Sequence, residues 1–424
     1  SGSTTTFTAG TLDVRAGGIG LNKSAGTSTI TKTEVRGTST GVLQSGGSST
    51  LTNVTVYSGG VGLDHSGGDA SITNLDVQAG TGVVKSGTGW VSLSNVTVHS
   101  GAIGVEHTGG TSGSIRGGTI HGDGLGIRTN GGTFNTIINW GNPTGTKIGI
   151  QNGGTPGLVT NYGNISFAGL GAGVGHGIIN AGGNVSNRAD ITISNINGGN
   201  TGGYGNDVSH GATDATDKTI SISGYSGNHG MHGTGAATLE YGTITVGGLS
   251  SDAVRAGTTA TIKGGTASVS GSNSNGVYGA GGGSATTGVI INAANANVSI
   301  SSGGGANSNA VNALAKGITV NNTAHTVTVS HSGTSSNGLY AQAGDITING
   351  SNTVTINSNG TNNNSVYAKT DNITINGTGT VNITNSGDYS NGVYAPATGK
   401  VMNINNGNVN ISALGSRSNG VYSG

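Results

Sequence analysis

Cationic, imidazole, amide and phenolic side chains return at a near-constant interval through the first third of this sequence. Arg15, Arg36, Tyr57, Gln78, His99 and His121 are separated by 21, 21, 21, 21 and 22 residues. About seven residues after each comes a second set, Asn22, Gln44, Asp64, Lys85, Glu106 and Arg128. Guanidinium, amide and imidazole groups in a row supply many donors and acceptors, so such a strip suits glycan hydroxyls or sulfates held by multidentate hydrogen bonds. The competing reading is a solvated face in which Asp64, Lys85 and Glu106 alternate in sign to avoid like-charge stacking, each exposed pair contributing under about 1 kcal/mol. Toward the other end Tyr278, Tyr340, Tyr367, Tyr394 and Tyr422 recur. A tyrosine column offers flat apolar area with a polar tip to sugars or a partner, and it can equally stack on itself from one repeat to the next. The self-stack is the preferred expectation.

Hydrolysis of a glycosidic bond needs two carboxylates roughly 5–9.5 Å apart. Asp64 and Glu106, two repeats apart, fall at about 9.6 Å if each repeat rises by one strand spacing. Lys85, read as lying between them, lowers both pKa values and argues against a protonated general acid. Asp214-Ala215-Thr216-Asp217 is the nearest acidic cluster and lacks calcium-loop spacing. His229 and His232, or His65 with His107 and His99 with His121, supply at most two metal ligands each. No enzyme, metal or cofactor is expected on these grounds. A polysaccharide-degrading hydrolase or lyase remains the alternative.

The elements that would position these residues follow from periodicity. An apolar residue returns at seventeen positions: Leu21, Leu43, Leu63, Val84, Val105, Ile127, Ile150, Ile178, Val208, Met231, Val254, Val277, Val311, Leu339, Val366, Val393 and Val421. The mean step is 25 residues. Within a step, runs such as Val354-Thr355-Ile356 alternate at period two, which reads as short strands. A unit of this size cannot bury its apolar side alone, but stacked units pair each strand with its equivalent one repeat later. The expectation is an all-β, right-handed parallel β-helix with three strands per turn and about 17 rungs, forming a single domain over residues 1–424. Handedness follows the general preference for right-handed crossovers. Long steps predict protruding loops near 194–206 and 279–288. The residues after the second column, Lys23, Ser45, His65, Ser86, His107 and Thr129, are expected in solvent at a corner.

Composition agrees with such corners. Glycine supplies 87 of 424 residues and proline 3, so neither collagen nor a proline-rich spacer can be written. Lys+Arg and Asp+Glu are both 16, which disfavours general nucleic-acid binding. There is no cysteine, hence no disulfide framework. No apolar run reaches the length of a membrane helix, and the first residues lack the pattern of a signal peptide. The chain reads as a mature secreted protein or an excised piece.

The later repeats spell Ser274-Asn275-Gly276-Val277-Tyr278, Ser336-Asn337-Gly338-Leu339-Tyr340, Ser390-Asn391-Gly392-Val393-Tyr394 and Ser418-Asn419-Gly420-Val421-Tyr422. With the Gly/Ser/Thr/Asn wealth and few charges, nearly the whole chain resembles the passenger domain of Gram-negative autotransporters, the type V secreted adhesins. That resemblance implies a virulence-associated cell-surface or secreted protein, attached through a membrane barrel beyond this sequence. Its expected role is adhesion to host or matrix glycans or cell receptors, or self-association in autoaggregation and biofilm. No nucleic acid and no direct membrane insertion by this segment are expected. Polar runs such as Thr361-Asn362-Asn363-Asn364 would meet a second copy through many weak hydrogen bonds that add up by repetition.

Overall fold

The computed structural model describes residues 4–13, 18–86, 91–107, 113–122, 125–129, 132–141, 146–152, 158–168, 174–181, 183–196, 199–211, 218–405 and 407–424. Described residues form strands, turns and bends, with no α-helix among them. The chain divides into two units, Ser1–Thr192 and Ile193–Gly424. Each is a right-handed parallel β-helix whose strands pair with their equivalents one turn away.

In the first unit, strands Ile19–Lys23, Thr40–Gln44 and Val61–His65 begin one wall. The ends of Ala70–Lys85 and Val91–His107, then Leu125–Thr129, Thr146–Asn152 and Val174–Asn180, continue it. Its interior column is Leu21, Val42, Leu63, Val83, Val105, Ile127, Ile150 and Ile178. Two expected core residues are therefore corrected: Leu43 and Val84 are half-buried outward positions, and their predecessors Val42 and Val83 face in. The other two walls are one continuous strand bent in the middle, as in Thr27–Gly37 and Ser48–Ser58. The bend falls where Lys32, Asn53, Asn74 and Asn95 adopt φ of 52–55°, a left-handed conformation that asparagine tolerates best among non-glycine residues. Ile30, Leu51, Ile72 and Leu93 fill the interior before the bend, and Val35, Val56, Val77 and Val98 after it.

The second unit keeps its three strands separate. Its first wall has the interior column Gly203, Met231, Val254, Val277, Val311, Leu339, Val366, Val393 and Val421. Gly203 replaces the expected Val208, which belongs to the next wall in register with Ala237 and Ala260. Residues expected in a loop near 194–206 include strand Thr201–Gly205, while 197–198 lie outside the described residues. Between strands Asn275–Gly279 and Val289–Ile291 runs a loop whose Gly283, Ser284 and Thr286 are exposed. Tight stacking selects small residues beside the core valine or leucine. A Cβ on Gly338 would lie 2.5 Å from the Ser365 carbonyl oxygen.

Candidate functional site

The Ser-Asn-Gly-Val-Tyr pattern resolves into three parallel ladders in the second unit. The serine points inward at the corner. The Ser308 hydroxyl accepts from the Ser274 amide at 3.3 Å, Ser336 from Ser308 at 3.0 Å, and Ser418 from Ser390 at 3.1 Å; Asn363 substitutes its amide oxygen in one turn. Each buried backbone donor there gains a partner that the corner geometry would otherwise deny it. The asparagine faces outward. Asn419 donates its Nδ2 to Asn391 at 2.9 Å, Asn391 to Asn364 at 2.7 Å, Asn364 to Asn337 at 3.0 Å, Asn337 to Asn309 at 2.9 Å and Asn309 to Asn275 at 3.3 Å. All these amides point one way, so each bond polarises the next.

The tyrosine column lies three residues further along the same strands. Tyr340, Tyr367, Tyr394 and Tyr422 stack with centroids 5.0–5.1 Å apart and tilted planes. Burial pushes the phenols of Tyr340 and Tyr367 upward in pKa. Tyr278 is separated from the stack by Asn312, which holds the intervening position in register, and carries the Arg255 guanidinium over its ring at 4.7 Å.

The amide ladder ends on a charged cluster in which His229 and His232, weighed from the sequence as a metal pair, meet Asp252 and Arg255, which the sequence reading did not single out. Asn275 donates to Asp252 Oδ1 at 2.7 Å, and Arg255 Nη1 reaches Asp252 Oδ2 at 2.8 Å. Burial raises the Asp252 carboxyl, opposed by the bonds from Asn275 and Arg255. His229 Nδ1 lies 3.5 Å from the same carboxylate, and the His229, His232 and Tyr204 rings meet edge-on at 5.0 and 5.2 Å. Burial lowers both imidazoles to about 4, and the nearby Arg255 charge adds to the effect. Aligning Ser251-Asp252-Ala253-Val254-Arg255 on Ser-Asn-Gly-Val-Tyr was the available signal: Asp252 takes the asparagine slot and Arg255 the tyrosine slot. A second amide ladder runs through Asn321, Asn349, Asn376 and Asn405 at 3.0–3.3 Å. It borders a groove of about 460 Å³ lined also by Thr323, Ser351 and Thr378.

In the first unit the expected strip divides. Arg36, Tyr57, Gln78, His99 and His121 hold one register along the wall after the bend. Arg36 is ion-paired to Glu34 and lies 4.8 Å over the Tyr57 ring; Gln78 and His99 are exposed. Arg15 lies outside the described residues, and Asp13 is the residue in register with Arg36. The second column reads Asn22, Leu43, Asp64, Val84, Glu106 and Arg128. Arg128 Nη1 donates to Glu106 at 2.9 Å.

Gln44 and Lys85 are thus corrected, and so are Lys23 and His65: all four point inward. Gln44 accepts from the Ser28 hydroxyl at 2.8 Å, Lys23 Nζ donates to Thr5 at 2.8 Å, and His65 and Lys85 are fully buried. The cause is geometric, since residues two apart on a strand share a face and Leu21, Val42, Leu63 and Val83 face in. Burial, then the Lys85 charge, lowers the His65 imidazole to about 4, and burial lowers the Lys85 amine. Val84, not Lys85, lies between Asp64 and Glu106. The Asp64 carboxyl is accordingly raised by burial, with its buried Oδ1 lacking a hydrogen-bond partner.

In comparisons with protein-family models, curated proteins and solved structures, no match was found. The class defined by the coordinates is the parallel β-helix, which is compatible with an autotransporter passenger domain.

Proposed function

We propose that this chain is an adhesive passenger of the autotransporter type, displayed at a bacterial surface or secreted. It attaches to glycan-bearing surfaces, or to further copies of itself, through outward ladders that repeat the same polar chemistry turn after turn. The observation carrying this reading is the paired asparagine and tyrosine columns of the second unit: the four turns from Asn337 to Tyr422 each carry one amide and one phenol, three residues apart on one strand. Amides and hydroxyls match sugar hydroxyls in donors and acceptors, and weak contacts repeated along a ladder sum to useful avidity. The Asn321–Asn405 ladder and its groove offer a second polar face in the same unit. In the first unit the Arg36–His99 column and Glu106–Arg128 pair are the candidate contacts.

A glycan array run beside a sedimentation assay of self-association tests this and separates its two partner classes. Binding in either assay, weakened by changes along Tyr340–Tyr394, supports the reading; binding in neither overturns it. Polysaccharide cleavage is a second reading, favoured by one observation. Burial raises the Asp64 carboxyl, the direction that favours a general acid, and Glu106 lies two strands further along the column. Reducing ends or unsaturated products on incubation with polysaccharides, lost in Asp64→Asn, would establish that activity.

A further inference from the structure

The wall before the bend in the first unit carries outward hydroxyls at a constant sequence interval. Strand Thr27–Gly37 places Thr29 and Thr31 outward around buried Ile30; the next turns place Thr50 and Thr52 around Leu51, and Ser71 and Thr73 around Ile72. The step between equivalent residues is 21 in every case, so no insertion disturbs the spacing. Hydroxyls therefore occupy a two-dimensional lattice, about 4.8 Å between strands and about 6.6 Å between alternate residues of one strand. Ile30, Leu51 and Ile72, each 1% exposed, form a level aliphatic floor beneath it. Within Thr29–Thr31, Thr50–Thr52 and Ser71–Thr73 every outward side chain is a hydroxyl, and the nearest exposed charge is Lys32 at the bend.

An uncharged hydroxyl–methyl lattice selects its ligand narrowly. Within the lattice itself a charged polymer finds no ionic partner. A crystalline glycan would be expected to find flat rings to stack on, as aromatic side chains provide, and none is present on this face. Ordered water fits. The spacing between strands lies near the shorter repeat of oxygens on a prism face of hexagonal ice. Threonine hydroxyls can donate to and accept from that lattice, while their methyl groups favour a caged first water shell. β-Branching fixes χ1, so the array is held in place before it meets the surface.

We propose that this threonine–serine wall binds ice, giving the chain a second adhesive surface distinct from the asparagine and tyrosine columns. The proposal stands independently of glycan binding or self-association elsewhere on the chain. The test is ice recrystallisation in the presence of the full chain, with incorporation of fluorescently labelled protein into a growing single crystal. The expected results are inhibition of recrystallisation and labelling of prism planes. Thr31→Tyr/Thr52→Tyr breaks the flat lattice with a residue favoured in strands and should raise the concentration needed for inhibition by about tenfold, equivalent to about 1.4 kcal/mol. Thr55→Tyr/Thr97→Tyr on the neighbouring wall should leave it unchanged. Melting temperature reports whether each variant folds, and Thr29→Tyr/Thr50→Tyr, on the other hydroxyl column, replaces the first pair if that pair does not. No inhibition by the unaltered chain overturns the proposal. So does equal inhibition by the folded Thr31/Thr52 variant, or binding to microcrystalline cellulose or chitin without binding to ice.

Discussion

Asp252 takes the asparagine position of its turn, and its carboxylate terminates the amide chain and pairs with Arg255. Asp252 is buried, while Arg255 keeps 37% of its side chain exposed and can be solvated when its partner is removed. Asp252→Ala should therefore cost about 1–3 kcal/mol of stability, from the lost charge-assisted hydrogen bonds, read by urea denaturation. The double change Asp252→Asn/Arg255→Tyr recreates the turn found at Asn364–Ala368 and its neighbours, and should fall within about 1 kcal/mol of the parent protein. A second residue-scale expectation concerns pH. His331 is 4% exposed, neither ring nitrogen has a hydrogen-bond partner, and burial lowers its pKa from 6.5 to about 4. Between those values the unfolded chain holds more protons than the folded one, so stability rises with pH across the window and falls on acidification. His65, His229 and His232 act in the same direction. The raised pKa values of Asp64 and Asp252 favour the acid side instead, from 3.8 upward. Melting temperature measured from pH 7 to pH 4.5 should fall. His331→Asn should fall less steeply, since asparagine already occupies that interior column at Asn385.

Elements here are held by what lies directly above and below them. Asn364 accepts from Asn391 and donates to Asn337, so Asn364→Ala removes two bonds worth about 0.5–1.5 kcal/mol each. A drop in melting temperature larger than that of Asn410→Ala, which breaks one exposed bond to Asn382, checks this. At the bend of the first unit the constraint is the backbone instead. Asn74 holds φ at 54° while bonding Asn53 and Asn95 at 2.7 Å. Asn74→Gly keeps the conformation and loses the ladder; Asn74→Val must also carry left-handed strain of about 1–2 kcal/mol, and should be clearly the less stable by thermal melting.

The solenoid itself was legible in the sequence, because apolar returns every 20 to 34 residues admit few other structures. Register was harder to read. Val42-Leu43 and Val83-Val84 offer two adjacent aliphatics, either of which keeps the period. Choosing the second reverses every side chain that follows on that strand. That one-residue slip put Gln44 and Lys85 on the surface and Leu43 and Val84 in the core. Only the hydrogen-bonded pairing, which sets Lys23, Gln44, His65 and Lys85 in one inward column, resolves it. The tyrosine positions escaped the problem because glycine, or Ser365 in one turn, precedes a single aliphatic, leaving no second choice.

At the scale of the whole molecule, repetition predicts how function should fail. An enzyme concentrates its chemistry, so one substitution at the right carboxylate abolishes activity. A ladder spreads its chemistry: Tyr340, Tyr367, Tyr394 and Tyr422 are equivalent by register, and losing one leaves neighbours able to hold the same ligand. Linked weak contacts multiply, with avidity gains of about 10²–10⁴ over a single contact. Tyr367→Ala should therefore weaken binding to an immobilised glycan, or to a second copy, only a few-fold. Tyr340→Ala/Tyr367→Ala/Tyr394→Ala should reduce it by about a hundredfold, although every altered side chain lies outside the core. Off-rates measured by surface plasmon resonance across the single, double and triple variants distinguish the two patterns. A graded series supports adhesion through the column. A single variant as damaging as the triple would place the contact at one residue and remove the ladder from the mechanism.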